Sequence, residues 1–176
     1  MTTATPRTYR VSYCASDDEY ERALAIRIAV FCAEQKFSLE DEYDPPVEVD
    51  KVTTDHLLMT CVHPDGTEED AGVIRWWPKT PSTGKLGRLC VLQKFRGGGS
   101  GRNLVLALED HLRQRKGHAG KAMQGQESVT IIVHSQAYAE GFYAKLGYQV
   151  EGEMFLEDGA DHIKLVKTLQ LDPEAK

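Results

Sequence analysis

The chain has 176 residues, 41% of them apolar and 27% charged, the profile of one ordinary globular domain rather than a disordered or collagen-like chain. Its formal net charge of −6 argues against general nucleic-acid binding, which needs a basic surface. Cys14, Cys32, Cys61 and Cys90 stand far apart with no CxxC pair, so no metal site and no disulfide framework are expected, and each reads as a small buried hydrophobe of a reducing compartment.

The opening MTTATPRTYRV lacks an apolar stretch of signal-peptide length, and no later run is long enough for a bilayer. A cytoplasmic protein with no membrane partner is expected. TYRVSYC alternates and is rich in β-formers, a strand. SDDEYERALAIRIAVFCAEQ follows as a helix: Ser16 and Glu19 form a capping box, and Tyr20, Leu24, Ile28 and Phe31 recur on one face. The acidic stretch around Pro45-Pro46 reads as an irregular loop. HLLMTCVH and AGVIRWW are strands of a hairpin that turns at Asp65-Gly66, and GKLGRLCVLQ is a third strand that leads into the glycines.

Beyond the glycines, Leu104, Leu108 and Leu112 share a helix face with Val105 beside them, and Gly117 ends that helix. GHAGKAMQGQES reads as a flexible connection. VTIIVHS, continuous and β-branched, predicts a strand buried on both faces. QAYAEGFYAKLG predicts a short helix closed by Gly147, and the remainder two strands joined through EDGAD. The order β-α-β-β-β-α-β-α-β-β, without repeat or linker, predicts one α+β domain over 1–176 with its core at about 8–170, built on a mostly antiparallel sheet.

QKFRGGGSGRNLVLALEDHL invites three anion-binding readings and one bland one, a flexible turn. A P-loop needs a lysine after its last glycine, and none is present. A dinucleotide fingerprint finds Gly97 and Gly99 but Arg102 at the third glycine position, behind strands that read as a meander. Arg-x-x-Gly-x-Gly between a strand and a helix is matched by Arg96, Gly99 and Gly101. Unpaired N–H groups and the helix dipole suit a diphosphate there, and bare α-carbons let the chain approach it.

LCVLQKFRGGGSGRNLVLALE resembles the acetyl-CoA motif of the GNAT superfamily of N-acetyltransferases, and QAYAEGFYAKLGY, with Tyr143, Gly147 and Tyr148, resembles its second motif. AVFCAEQ and EDGADHIKLVK are similar to segments of a group of small bacterial and fungal members. The resemblance implies a sheet splayed at the acetyl-CoA site. It places the pantetheine against Leu89, Cys90 and Val91, and the diphosphate on Gly97, Gly98, Gly99, Ser100, Gly101 and Arg102 with Arg96. Gln136 stands where many relatives carry a pantetheine-binding Asn.

The same resemblance makes Tyr143 the acid that protonates the departing thiolate. Glu34 is the best carboxylate for the base, and Glu34, His134, Asp158 and His162 are candidate contacts for the acceptor. Glu40, Asp41, Glu42 and Asp44, with Glu157, Asp158 and Asp161, are read as a negative rim. The implied activity is acetyl transfer from acetyl-CoA to a primary amine of a small molecule (a polyamine, amino sugar or amino-acid derivative) by direct attack in a ternary complex. A catalytically silent acyl-CoA-binding sensor or scaffold is the alternative. The expected assembly is a monomer or homodimer.

Overall fold

Ser16 opens the first helix as its side chain predicts. In a computed structural model, which describes residues 7–43, 45–157 and 159–173, the Glu19 N–H donates to Ser16 Oγ at 3.3 Å and the Ser16 N–H donates to Glu19 Oε2 at 3.0 Å. This capping box satisfies two otherwise unpaired donors. Helix α1 (Asp17–Arg27) then widens into a π-helical turn, Ile28–Glu34, where the Gln35 N–H reaches back five residues to Val30 O. The buried face differs from the expected one. Tyr20, Ala23, Ile26 and Val30 face inward with Arg27, while Leu24, Ile28 and Phe31 are only half-buried.

The chain divides into two compact units, residues 1–75 with 88–108, and residues 76–87 with 109–176. In the first, the strands lie in the order β1 (Thr8–Tyr13), β2 (Asp55–Val62), β3 (Glu68–Thr80), β4 (Thr83–Val91). β1 and β2 pair antiparallel from Thr8↔Val62 to Tyr13↔Leu57. Ala23, Ile26 and Val30 pack there with Leu58, Val73 and Cys90. A Cβ at Gly72 of β3 would lie 2.9 Å from Cys90 O and 3.0 Å from Leu104 Cδ1. Only a bare α-carbon lets β4 and the helix after it come this close.

The segment around Pro45-Pro46 is not an irregular loop. It folds into α2 (Leu39–Glu42), capped by Ser38, and α3 (Val47–Thr53), whose N-cap is Pro46. Proline lacks the N–H that a helix start leaves unused, so here it punctuates two helices instead of preventing them. After β4, a 3₁₀ turn (Gln93–Phe95) and the glycines lead to α4 (Ser100–Arg113), with Leu104, Val105, Leu108 and Leu112 buried as expected.

In the second unit the order is β4, β5 (Ser128–Gln136), β8 (Ala160–Gln170), β6 (Gln149–Val150), with β7 (Phe155–Glu157) also paired to β8. The end of the chain thus adds three strands rather than two. β5 runs parallel to β4 from Thr83↔Thr130 to Leu86↔Val133 and antiparallel to β8 from Ser128↔Gln170 to Gln136↔His162. Mixed pairing of this kind, with helices between strands, makes the fold α+β.

Burial along β5 alternates, so it is not covered on both faces; Thr130, Ile132 and His134 are only half-buried. The expected flexible connection holds a helix, α5 (Gly117–Ala122), and Gly117, at φ +62°, begins it instead of ending α4. Helix α6 (Glu140–Ala144) follows a 3₁₀ turn, and Gly147 closes it at φ +86°.

Candidate functional site

In the first unit, Gly97, Gly98 and Gly99 adopt φ of +84°, +59° and +84° in succession, and a Cβ on any of them would meet nothing within 4 Å. The bare α-carbons are therefore needed for backbone conformation, and they leave open space over the loop. The Ser100 N–H donates to Gly97 O at 3.2 Å and the Asn103 N–H to Gly99 O at 2.9 Å. The N–H groups of Gly98, Gly99, Gly101 and Arg102 find no acceptor among the described residues. They form a nest of donors at the positive end of α4.

Arg96 stands beside this nest carrying a carboxylate. Its Nη1 and Nη2 donate to the two oxygens of Glu34, each at 2.7 Å, and its Nε donates to Val91 O at 2.9 Å. The hydrogen bonds from Arg96 hold the Glu34 carboxyl below the ordinary glutamate range. The structure thus joins two residues that sequence reasoning assigned to separate tasks. Cys90 is buried, and burial pushes its thiol well above the usual range.

Arg88, the residue before Leu89, Cys90 and Val91, has a left-handed φ of +50° inside β4. One left-handed residue turns the peptide planes that follow it. The parallel ladder to β5 stops two residues earlier, at Leu86↔Val133, while β5 continues to Gln136. From His134 onward this edge of β5 has no ladder partner on that side among the described residues.

Behind β4 lies a buried charge cluster that sequence reading missed. Arg27, only 1% exposed, donates from Nε to the Glu42 carboxylate and from Nη1 to Asp50 Oδ2 at 2.8 Å. Asp50 also accepts from Tyr20 Oη and Arg75 Nη1, each at 3.0 Å, and from Thr54 Oγ1 at 3.1 Å. His56 Nε2 lies 2.9 Å from Arg27 Nη1, and Arg88 Nε lies 3.1 Å from Glu42 Oε2.

Burial alone would raise the Asp50 carboxyl, but His56, Arg75 and Arg27 outweigh it and hold it far below the carboxylate range. Burial pulls the His56 imidazole below its usual value and brings Arg75 down to about 10. Glu42 is therefore not part of a solvent-facing rim. One signal pointed to the cluster: Arg27 falls seven residues after Tyr20, on the same helix face.

In the second unit, Tyr143 is 6% exposed, its ring edge-on to Phe142 and Tyr148 at centroid distances of 4.9 and 5.5 Å. Burial, and then Tyr138, raises its phenol. The hydroxyl has no hydrogen-bond partner among the described residues, yet it is not one of the sealed polar atoms. Tyr148 Oη donates to Glu109 Oε1 at 3.2 Å. Lys167 Nζ donates to both Glu109 oxygens, at 2.7 and 2.8 Å. Tyr143 thus lies on the face of β8 that carries Lys167.

His134, Gln136 and His162 lie on the opposite face, as the register requires: His134 opposes Lys164, and Gln136 opposes His162. His134 Nδ1 is 3.3 Å from Glu157 Oε1, its ring edge-on to Phe155 at 5.0 Å, and His162 Nδ1 is 3.0 Å from Ala160 O. Asp158, a candidate acceptor contact, and Asp44 of the acidic rim lie outside the described residues.

Among the described residues no group of three or more His, Cys, Asp or Glu side chains is placed to hold a metal, and no helix is long and apolar enough to cross a membrane. Residues 58–169 match the acetyltransferase (GNAT) domain family. The chain is 31% identical over 154 residues to YyaT of Bacillus subtilis, covering 88% of this chain and 92% of that protein. It is 31% identical over 153 residues to YjcF of the same organism, a protein named as an uncharacterized N-acetyltransferase, covering 86% and 94%. A solved structure of a Lactobacillus plantarum protein assigned as an N-acetyltransferase superposes with a TM-score of 0.72 at 27% identity, covering 92% of this chain and 98% of the other. A strand, a glycine nest and a helix in this order, within a fold and a sequence shared with these proteins, place the chain in the GNAT family of acetyltransferases.

Proposed function

We propose that the protein moves the acetyl group of acetyl-CoA to the primary amine of a small molecule by direct attack in a ternary complex. One observation carries this reading: three successive left-handed glycines leave N–H donors with no acceptor among the described residues at the start of α4, beside a guanidinium that already holds a carboxylate. A diphosphate fits this donor set. Gly97 to Arg102 supply amide donors and helix-end charge, and Arg96 exchanges the Glu34 carboxylate for phosphate oxygens. Acetyl-CoA, when bound, supplies the activated acyl group; every other part of the reaction falls to the chain's own residues.

The edge of β4 at Leu89, Cys90 and Val91 offers main-chain groups to the pantetheine, and Gln136 an amide. An N–H near Val91 faces the charge that develops on the thioester oxygen. No protein nucleophile is needed, and a buried thiol with a raised pKa suits Cys90 to packing, not to carrying an acyl group. Tyr143 keeps its proton at neutral pH and has a hydroxyl without a partner among the described residues, as a donor to the departing sulfur requires. The acceptor amine occupies the face of β5 and β8 that carries His134 and His162. Until the coenzyme binds, Glu34 is tied to Arg96, which makes it a weaker proton acceptor than a free carboxylate.

Calorimetry with acetyl-CoA, paired with an assay of thiol release across a panel of amines, tests this. Tyr143→Phe is expected to lower turnover roughly 10²-fold while leaving acetyl-CoA affinity within about twofold. Absence of any binding to acetyl-CoA or free coenzyme A would remove the reading. Tight binding with no turnover on any amine would identify a sensor instead.

A further inference from the structure

An alkylammonium with a pKa of about 10.4 must lose a proton before it can attack an acyl carbon. We infer that His134, oriented by Glu157, is the group that takes this proton, a role that rests on the transferase reading above. A carboxylate can only accept a hydrogen bond, so the 3.3 Å contact between Glu157 Oε1 and His134 Nδ1 places the ring hydrogen on Nδ1. Nε2 is left with its lone pair. Phe155, edge-on at 5.0 Å, steadies the ring from one side, and the side chain of His134 remains 27% exposed, open to a ligand.

Position supports the same role. Tyr143 and His134 lie on opposite faces of the β5–β8 pair, so acid and base serve different atoms and cannot neutralise each other. His134 is also the first residue of β5 beyond the last ladder pair with β4, Leu86↔Val133. The groups around it are Glu157 on β7, His162 on β8, and Lys164 on β8, which is itself bonded to Glu151 at 2.5 Å. Lys85 on β4, paired with Ile132, lies on the same face.

The proton balance closes. An N–H bond of the ammonium breaks and an Nε2–H bond forms on His134, which later releases that proton to water. The free amine adds to the acyl carbon. As the C–S bond breaks, Tyr143 protonates the sulfur; the second proton of the nitrogen leaves to water, and Tyr143 regains its own proton from water.

The test uses the full chain and the best amine of the panel. His134→Gln is expected to lower kcat/KM by about 10²-fold at pH 7, with acetyl-CoA affinity unchanged. The deficit should shrink toward pH 10, where the amine deprotonates unaided. Added imidazole should restore part of the activity of His134→Gly. Glu157→Gln, which keeps the shape of the side chain, should lower kcat while leaving KM for the amine within about twofold, which loss of packing alone would not do. Normal turnover by His134→Gln, or a deficit equal at every pH, overturns the role while leaving the transferase reading intact. A wild-type protein that binds acetyl-CoA and acetylates no amine ends both together.

Discussion

Arg27 shows how much one residue can decide. Its guanidinium is enclosed by Glu42, Asp50 and His56, all of them buried. Such a cluster adds little net stability when intact, because desolvation offsets most of the attraction, but removing one partner leaves the others as uncompensated buried charge. Arg27→Ala is therefore expected to destabilise the protein by about 3–5 kcal/mol, measured by urea unfolding. A loss below about 1 kcal/mol would mean that water reaches the cluster. The sequence hid this arrangement for a physical reason. Arg, Glu and Asp are read as surface residues, and the partners are spread from Tyr20 to Arg88, so no local period brings them together.

At the scale of elements, legibility followed the strength of local signals. The capping box at Ser16, the apolar face of α4 and the glycine loop were all readable because each rests on contacts within a few residues. α2, α3 and α5 were not. They are short, two of them flank prolines, and tertiary packing outweighs propensity at that length. β5 failed differently: Val129 to Val133 are β-branched throughout, and such a run cannot reveal that one of its faces is left half-open.

Close packing also makes a prediction at this scale. A Cβ at Gly84 of β4 would sit 2.2 Å from Trp76 Cζ2, against a ring that is wholly buried. Gly84→Ala should cost about 1–3 kcal/mol by overpacking, read as a lower urea midpoint with an unchanged slope. An unaltered midpoint would show that the indole can move aside.

For the molecule as a whole, the buried cluster sets the response to acid. His56 and Asp50 both have folded pKa values below their ordinary values of 6.5 and 3.8, so the unfolded chain takes up these protons first. Their contribution to stability is complete above about pH 6.5. It is lost as pH falls, first through His56 and then through Asp50, by up to about 1.4 kcal/mol per pH unit for each group. Melting temperature should decline between pH 6.5 and 5 in the wild type, and His56→Gln should flatten that decline. A wild-type Tm that stays constant from pH 8 to 5 would show that the imidazole does not drive it.

The pairing of Arg96 with Glu34 has a consequence for selectivity. A bare guanidinium next to a nest of amides would attract every small anion in the cell. On the proposed reading, the tethered carboxylate that fills the guanidinium fork disfavours chloride or a lone monoanion, and a diphosphate that also satisfies the glycine amides displaces it. Glu34 would then act as a placeholder, exchanged only for a ligand with enough negative oxygens to engage the guanidinium and the amides together.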